Sequence, residues 1–365
     1  MKPTVKFTYL LLSAALSGSM YSCSDSAKES IQTGQEINFI AGSASSADSK
    51  TIYSGVRSGE GERIDWQYTD IIRIYCEQAS DPPLKRADYA IDAGSITTLG
   101  SVSEAKIQHT RRIGLHWGDL DKDHEFYAVC PSPETDDGLG DVLGNGSLKG
   151  HIPAVQTPVS VSAGSGSGAP TYVAAPDMSS MYLVARTTIE AGIREIEGVF
   201  LRFTPITTAI EFTITNGADN GEDLPVSSVT VSRDGGKLSG IFTSDLASWN
   251  GGYPTCTPAG SNTGSVSCSF DTPVTLEKGE SLRFTMFFVP GSDLSGLTFK
   301  LDRSDGSWVS TKLEKADGTA ITFPSYKKSY ISGIMIPQGA SWILGTEQWV
   351  TSWQVGTAGE SVELK

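Results

Sequence analysis

The sequence predicts an all-β protein built from β-sandwich domains in tandem. Apolar residues recur with period two over short runs, the runs are bounded by turn-forming residues, and amphipathic helical stripes are nearly absent. Turn formers are abundant, with 39 glycines and 17 prolines in 365 residues. The best helical candidate is the short stretch 188–196.

Ile72, Ile74 and Cys76 alternate with Arg73 and Tyr75 in the first clear strand. Ile210, Phe212 and Ile214 alternate with Glu211, Thr213 and Thr215, and Leu282, Phe284, Met286 and Phe288 with Arg283, Thr285 and Phe287. Such alternation puts one face of a strand in a core and the other in water. Leu297, Phe299 and Leu301 repeat the pattern. They precede Ser304-Asp305-Gly306-Ser307 and a second run from Trp308, which together read as a hairpin.

The N-terminus reads as an export signal. Lys2 and Lys6 precede an apolar run over 7–16, and Ser17, Gly18 and Ser19 lead to Cys23. The run is too short for a permanent membrane helix. A cysteine after Ser22, at the end of such a signal, is the expected lipidation site, and residues 23–35 then form a polar tether. Removing residues 1–22 takes two lysines and no acids from a formal charge of -14, leaving -16 on 343 residues. That chain is long enough for two domains. Its charge excludes nucleic acid and anionic membrane surfaces as partners, so membrane attachment is expected only through lipid at Cys23.

The Gly/Ser-rich stretch 160–170 reads as a flexible loop. After Tyr182, Leu183, Val184 and Ala185 the chain turns polar until a new apolar run begins at Val199. This places the boundary near residue 192, with domains over 36–192 and 193–365. Four cysteines follow Cys23. Cys256 and Cys268 flank a turn where a cross-strand disulfide is feasible, and Cys76 and Cys130 read equally well as buried thiols. No cysteine–histidine spacing suggests zinc.

Positive signals for catalysis are missing. Asp119, Asp121 and Asp123 copy the opening of a calcium loop, but His124 stands at the turn glycine and Cys130 at the closing glutamate, so a solvated acidic turn is the better reading. Gly235-Gly236-Lys237 lacks the flanking residues of a phosphate loop. No nucleophile elbow or metalloprotease motif occurs. The expectation is a non-enzymatic chain with no cofactor and no metal. Seven tryptophans leave room for an aromatic sugar platform.

Several segments in order carry a family resemblance. They are Ile37-Asn38-Phe39, Ser49-Lys50-Thr51, the stretch from Ile64-Asp65-Trp66 to Ile74-Tyr75, Phe126-Tyr127-Ala128-Val129-Cys130-Pro131, and Ile152-Pro153-Ala154-Val155-Gln156. Asp177-Met178-Ser179-Ser180-Met181, Val199-Phe200-Leu201-Arg202-Phe203, Lys327-Lys328-Ser329-Tyr330-Ile331, and the late Trp349 and Trp353 follow. Together they resemble the fimbrillin family, the Mfa-like and FimA-like pilin subunits of Bacteroidales. Thr69 stands where that family usually has glycine, and Thr204-Pro205 replaces a usual histidine.

The resemblance implies two transthyretin-like Greek-key sandwiches. It also implies a lipoprotein (palmitate-bearing) of the outer membrane, displayed on the surface in a fimbrium and contributing to adhesion. In such pilins an N-terminal strand is temporary, here mapped to 36–41. A trypsin-like cut in the following loop releases it within a propeptide ending near residue 57. Lys50, Arg57 and Arg63 are the available basic residues, with Arg57 favoured for its flanking glycines. A strand from another pilus subunit then fills the groove. Its source would be the tail 341–365, where Trp349, Val350, Trp353 and Val355 are the apolar donors. The alternatives are a non-polymerising tip or anchor component, or a stand-alone lipoprotein binding surface glycans. A host or glycan ligand stays unspecified.

Overall fold

The computed structural model describes residues 29–43, 53–58, 61–81, 84–99, 102–133, 143–164, 169–218, 221–314, 318–338, 341–352 and 361–363. The described chain is all-β, and its only helical elements are the short 3-10 turns Ala93–Ser95 and Met178–Ser180. The helix candidate at 188–196 is instead the end of the strand Leu183–Ile189, a turn at Gly192 with φ +82°, and the two-residue strand Glu195–Ile196.

The first half forms a ring. Phe39–Ser43 pairs in parallel with Val199–Pro205, and the ladder continues through Leu183–Ile189, His124–Cys130, Ile71–Tyr75, Arg86–Ile91 and Val102–His109. Val102–His109 then pairs back onto the first strand, with Phe39 opposite Ile107 and Gly42 opposite Glu104. Seven strands thus close a barrel where the sequence suggested an open sandwich. Alternation within a strand separates inside from outside but does not say whether the first and last strands meet. Phe39, Ile72, Ile74, Tyr89, Phe126 and Phe203 fill the interior. Val199–Pro205 lies beyond the break placed near residue 192, yet it is a strand of this ring.

The second half stacks two sheets. One runs Ser160–Ala163, Thr171–Ala175, Ser281–Phe288, Thr208–Asn216, Lys327–Gln338, Ser341–Ser352, Ser361–Glu363. The other runs Val155–Gln156, Ser265–Leu276, Leu224–Ser232, Thr298–Arg303, Trp308–Lys312. Ile210, Phe212, Phe284, Met286, Phe299 and Leu301 fill the space between them, on the inward positions that alternation predicts. The hairpin at 304–307 forms, with Asp302 opposite Trp308 and Gly306 at φ +83°.

Part of the stretch read as a loop, Ser160–Ala163, is strand. Ser160–Ala163 and Thr171–Ala175 form a hairpin that adds in parallel to Ser281–Phe288. Ser147–Ile152 pairs with Ser239–Asp245, so a segment that precedes the last ring strands completes sheets of the second half. Backbone hydrogen bonding drives this. Without these strands, Ser281–Phe288 and Ser239–Asp245 would present unpaired edges.

The disulfide considered for Cys256 and Cys268 is not made, and both thiols are free and buried. The strands that carry them, Cys256–Thr263 and Ser265–Leu276, join different sheets, because the chain turns a corner at Gly264. One thiol therefore packs in each hydrophobic core. Burial pushes Cys256 up to about 11 and Cys268 up to about 12. Cys76 and Cys130 are also free and buried.

Candidate functional site

The N-terminal segment is bonded along its length before it enters the ring. Glu29 and Ser30 pair with Ile196 and Glu195. Ile31 N–H donates to Arg194 O (2.9 Å), Gly34 N–H to Trp117 O (2.7 Å) and Ile37 N–H to Leu115 O (2.9 Å). Trp117 N–H returns a bond to Gln35 O (2.8 Å). The strand Phe39–Ser43 then inserts between two others, so it is internal and satisfied on both sides.

Its side chains are held as firmly as its backbone. Ile31, Ile37, Phe39 and Ala41 are all buried. The Phe39 ring meets Tyr89 edge-on at 5.1 Å and Phe126 at 5.5 Å. A Cβ at Gly42 would overlap the Phe200 ring, which explains why glycine occupies this place in the strand. At about 2 kcal/mol per buried large aliphatic or aromatic chain, the segment is held by several such terms.

Arg57 and Arg63 lie on the antiparallel strands Tyr53–Ser58 and Gly61–Ile64, a two-stranded sheet of their own with Arg57 opposite Glu62. The sequence suggested a loop around Arg57, and the backbone there is strand. An isolated hairpin is only marginally stable. Lys50 and Cys23 lie outside the described residues, as do Trp353 and Val355.

Trp349 and Val350 lie on Ser341–Ser352, which pairs with Lys327–Gln338 in an unbroken register that sets Trp349 opposite Tyr330 and Val350 opposite Ser329. Ser361–Glu363 pairs onto its outer side through Glu347, Gln348 and Trp349. The tail thus completes the second half's own sheet.

Sequence reasoning missed a buried ion pair beside this tail. Lys328 Nζ lies 2.8 Å from Glu211 Oε2, with side chains 1% and 7% exposed. The ammonium also sits 5.2 Å from the centroid of Tyr330. Glu211 takes an outward position between Ile210 and Phe212, which reads as solvent-facing, and no sequence signal marks it as covered.

Two polar groups brace the ring wall. Burial works against ionised Asp88, but Arg73 at 2.8 Å and the Ser132 hydroxyl outweigh it and hold the carboxyl below its usual range. Glu125 accepts from Tyr127 (2.7 Å) and Arg186 (2.8 Å), which lowers it likewise. Burial and that carboxylate push Tyr127 up to about 12. The acidic turn binds internally: Arg194 Nη2 is 2.6 Å from Asp121, Lys122 is 3.7 Å from Asp119, and Asp123 accepts from Ala191 N–H.

Among the described residues the tryptophans differ in exposure. Trp66 and Trp117 are core, whereas Trp308 is 62% exposed. Lys300 Nζ lies 5.6 Å from the Trp308 ring centroid and 2.6 Å from Asp302 Oδ1.

No protein-family model matches the chain, and no curated protein matches it in sequence. Solved structures do match. A candidate cell adhesion protein of Bacteroides uniformis aligns at TM-score 0.50 and 14% identity, over 87% of this chain and 99% of its own. The two chains share a fold. A candidate cell adhesion protein of Bacteroides ovatus aligns at TM-score 0.44 and 12% identity, over 92% and 99% of the two chains. The C-terminally truncated tip fimbrial protein Mfa3 of Porphyromonas gingivalis aligns at 0.32 and 8%, over 87% and 100%. At these identities the likeness is one of fold, and roles for individual residues rest on the geometry above.

Proposed function

We propose that this chain is a structural subunit of a cell-surface pilus. It is exported as a lipoprotein on Cys23, attached to the outer membrane, and assembled by strand exchange after proteolysis. The role is one of adhesion and structure, without catalysis. The observation that carries the reading is that Phe39–Ser43 is an internal strand contributed by the chain just before an arginine-bearing hairpin.

A cut at Arg57 or Arg63 separates this strand covalently from the ring it closes. Its departure leaves Val102–His109 and Val199–Pro205 with unpaired edges and vacates the Phe39 and Ala41 positions. A replacement must run parallel to one edge and antiparallel to the other, with alternate apolar side chains. The tail of a second subunit, with Trp349, Val350, Trp353 and Val355, has the required composition. The transthyretin-like Greek-key course belongs to the same proposal.

Limited trypsin treatment of the purified mature protein tests it. The expected products are cleavage at Arg57 or Arg63 followed by heat-resistant ladders on a denaturing gel. A cleaved protein that stays monomeric would count against a stalk role and favour a tip or anchor component. For the lipid, Cys23→Ala should abolish acyl labelling.

The exposed Trp308, with Lys300 and Asp302 beside it, supports a second reading in which the lipoprotein binds surface glycans. Retention on an immobilised polysaccharide that disappears in Trp308→Ala would favour this reading.

A further inference from the structure

We propose that His124 is an acid-sensitive latch on the N-terminal segment, holding residues 31–38 against the ring while neutral and loosening them when protonated. The proposal deepens the reading in which Phe39–Ser43 departs, and its test is independent of polymerisation.

The geometry dictates the histidine's state. His124 is 2% exposed. Its Nδ1 is 3.0 Å from Lys122 O, and its Nε2 is 3.2 Å from Gly118 N. A carbonyl can only accept and a backbone N–H can only donate. Nδ1 therefore carries the proton and Nε2 is the bare acceptor, which is the neutral imidazole. Adding a proton at Nε2 sets two donors against each other and removes the acceptor of the Gly118 N–H, a costly loss inside the fold.

That loss falls on the residues that grip the segment. The Trp117 ring packs edge-on against the imidazole, with centroids 5.1 Å apart, and against Phe126 at 5.9 Å. The Trp117 backbone bonds both Gly34 and Gln35, and Leu115 O accepts from Ile37, which sets Glu36 opposite His116 in an antiparallel backbone bridge. Gly118 cannot shift toward the neighbouring turn, because a Cβ there would already overlap Gln78 O. Relief must come from the 114–118 side, which is the side that holds 34–37.

The surrounding charges are mixed. Asp119 and Asp123 favour the imidazolium and Lys85 opposes it, while burial, the largest influence, holds His124 below its ordinary value of 6.5. Glu125, the next residue, is engaged by Tyr127 and Arg186. On the segment itself Glu36 Oε1 lies 3.1 Å from His109 Nε2. With a folded pKa below the unfolded one, the contribution of His124 is complete above the unfolded value. It is lost as pH falls from there toward the folded value.

Hydrogen exchange on the intact, uncut chain tests the latch, read on peptides covering 31–43 and 210–216 between about pH 7.5 and about pH 5 and corrected for intrinsic rates. Protection of 31–43 should fall several-fold on acidification, while 210–216 stays protected. His124→Gln, which titrates in neither state, should remove the pH dependence, and His109→Gln should keep it. Constant protection of 31–43 in the parent protein overturns the proposal, as does an equal acid response in His124→Gln. If that variant does not fold, parallel loss at 31–43 and 210–216 in the parent protein does so too. An acid response without trypsin-triggered ladders would leave the latch standing and count against strand exchange.

Discussion

Lys328 and Glu211 show how a residue's meaning changes once its neighbours are in place. A lysine beside another lysine reads as surface, yet its ammonium sits on a carboxylate in a place that water barely reaches. Desolvating two charges is costly, and removing one partner leaves the other uncompensated. Lys328→Met and Glu211→Gln should therefore each lower unfolding free energy by about 3 kcal/mol in urea titrations. Replacing both with apolar residues should recover much of that loss. At Phe39, truncation to Ala should cost about 3 to 5 kcal/mol, because the space between Tyr89 and Phe126 cannot close around it. Gly42→Ala acts in the opposite sense, by overfilling. The added methyl meets the Phe200 ring, and a loss of about 1 to 3 kcal/mol is expected in the same titration.

At the scale of elements, Cys256–Thr263 and Ser265–Leu276 are consecutive strands that the sequence presents as a single hairpin. The corner at Gly264 sends them to different sheets, and a Cβ on that glycine would collide with Arg233 O. The two thiols consequently sit in different cores, and the expected outcome is chemical. Thermal melts should be identical with and without reductant, and a thiol reagent should find all four described cysteines only after denaturation. Period-two alternation made most strands legible, as at Ile210, Phe212 and Ile214, because it reports which face of a strand is dry. It carries no record of partners. Closure of Phe39–Ser43 onto Val102–His109 and the Cys256 corner depend on pairing between distant segments, and the strand at Arg57 depends on its partner Gly61–Ile64. The same limit applies to the candidate site: a short apolar strand followed by arginines is readable, whereas the grip of Trp117 and His124 on 34–37 is assembled only by folding.

For the whole molecule, the question is whether two halves of different architecture behave as two folding units. The boundary near residue 192 would suggest so, but the chain crosses it in both directions. Val155–Gln156, Ser160–Ala163 and Thr171–Ala175 complete the sheets of the second half, while Val199–Pro205 returns to complete the ring. Phe242, Leu246, Cys256, Phe287 and Val289 belong to the core of the first half although they lie far along the chain. Gln156 donates to Phe287 O at 2.7 Å and accepts from Phe287 N–H at 2.9 Å, tying the crossing segment to Ser281–Phe288. Unfolding either half strips apolar cover and paired edges from the other, so their stabilities are coupled. Calorimetry of the uncut protein should show a single transition with matching calorimetric and van't Hoff enthalpies. A fragment beginning at residue 193 should be insoluble or molten, because Ser281–Phe288 and Ser239–Asp245 would each lose one of their two paired neighbours. Two resolved transitions, or a fragment with native-like exchange protection, would show that the crossing strands are ornaments on independent domains. Coupling has a consequence for assembly as well. A ring that loses Phe39–Ser43 stays anchored to an intact second half through these crossings, and so keeps its open edges in register for an incoming strand.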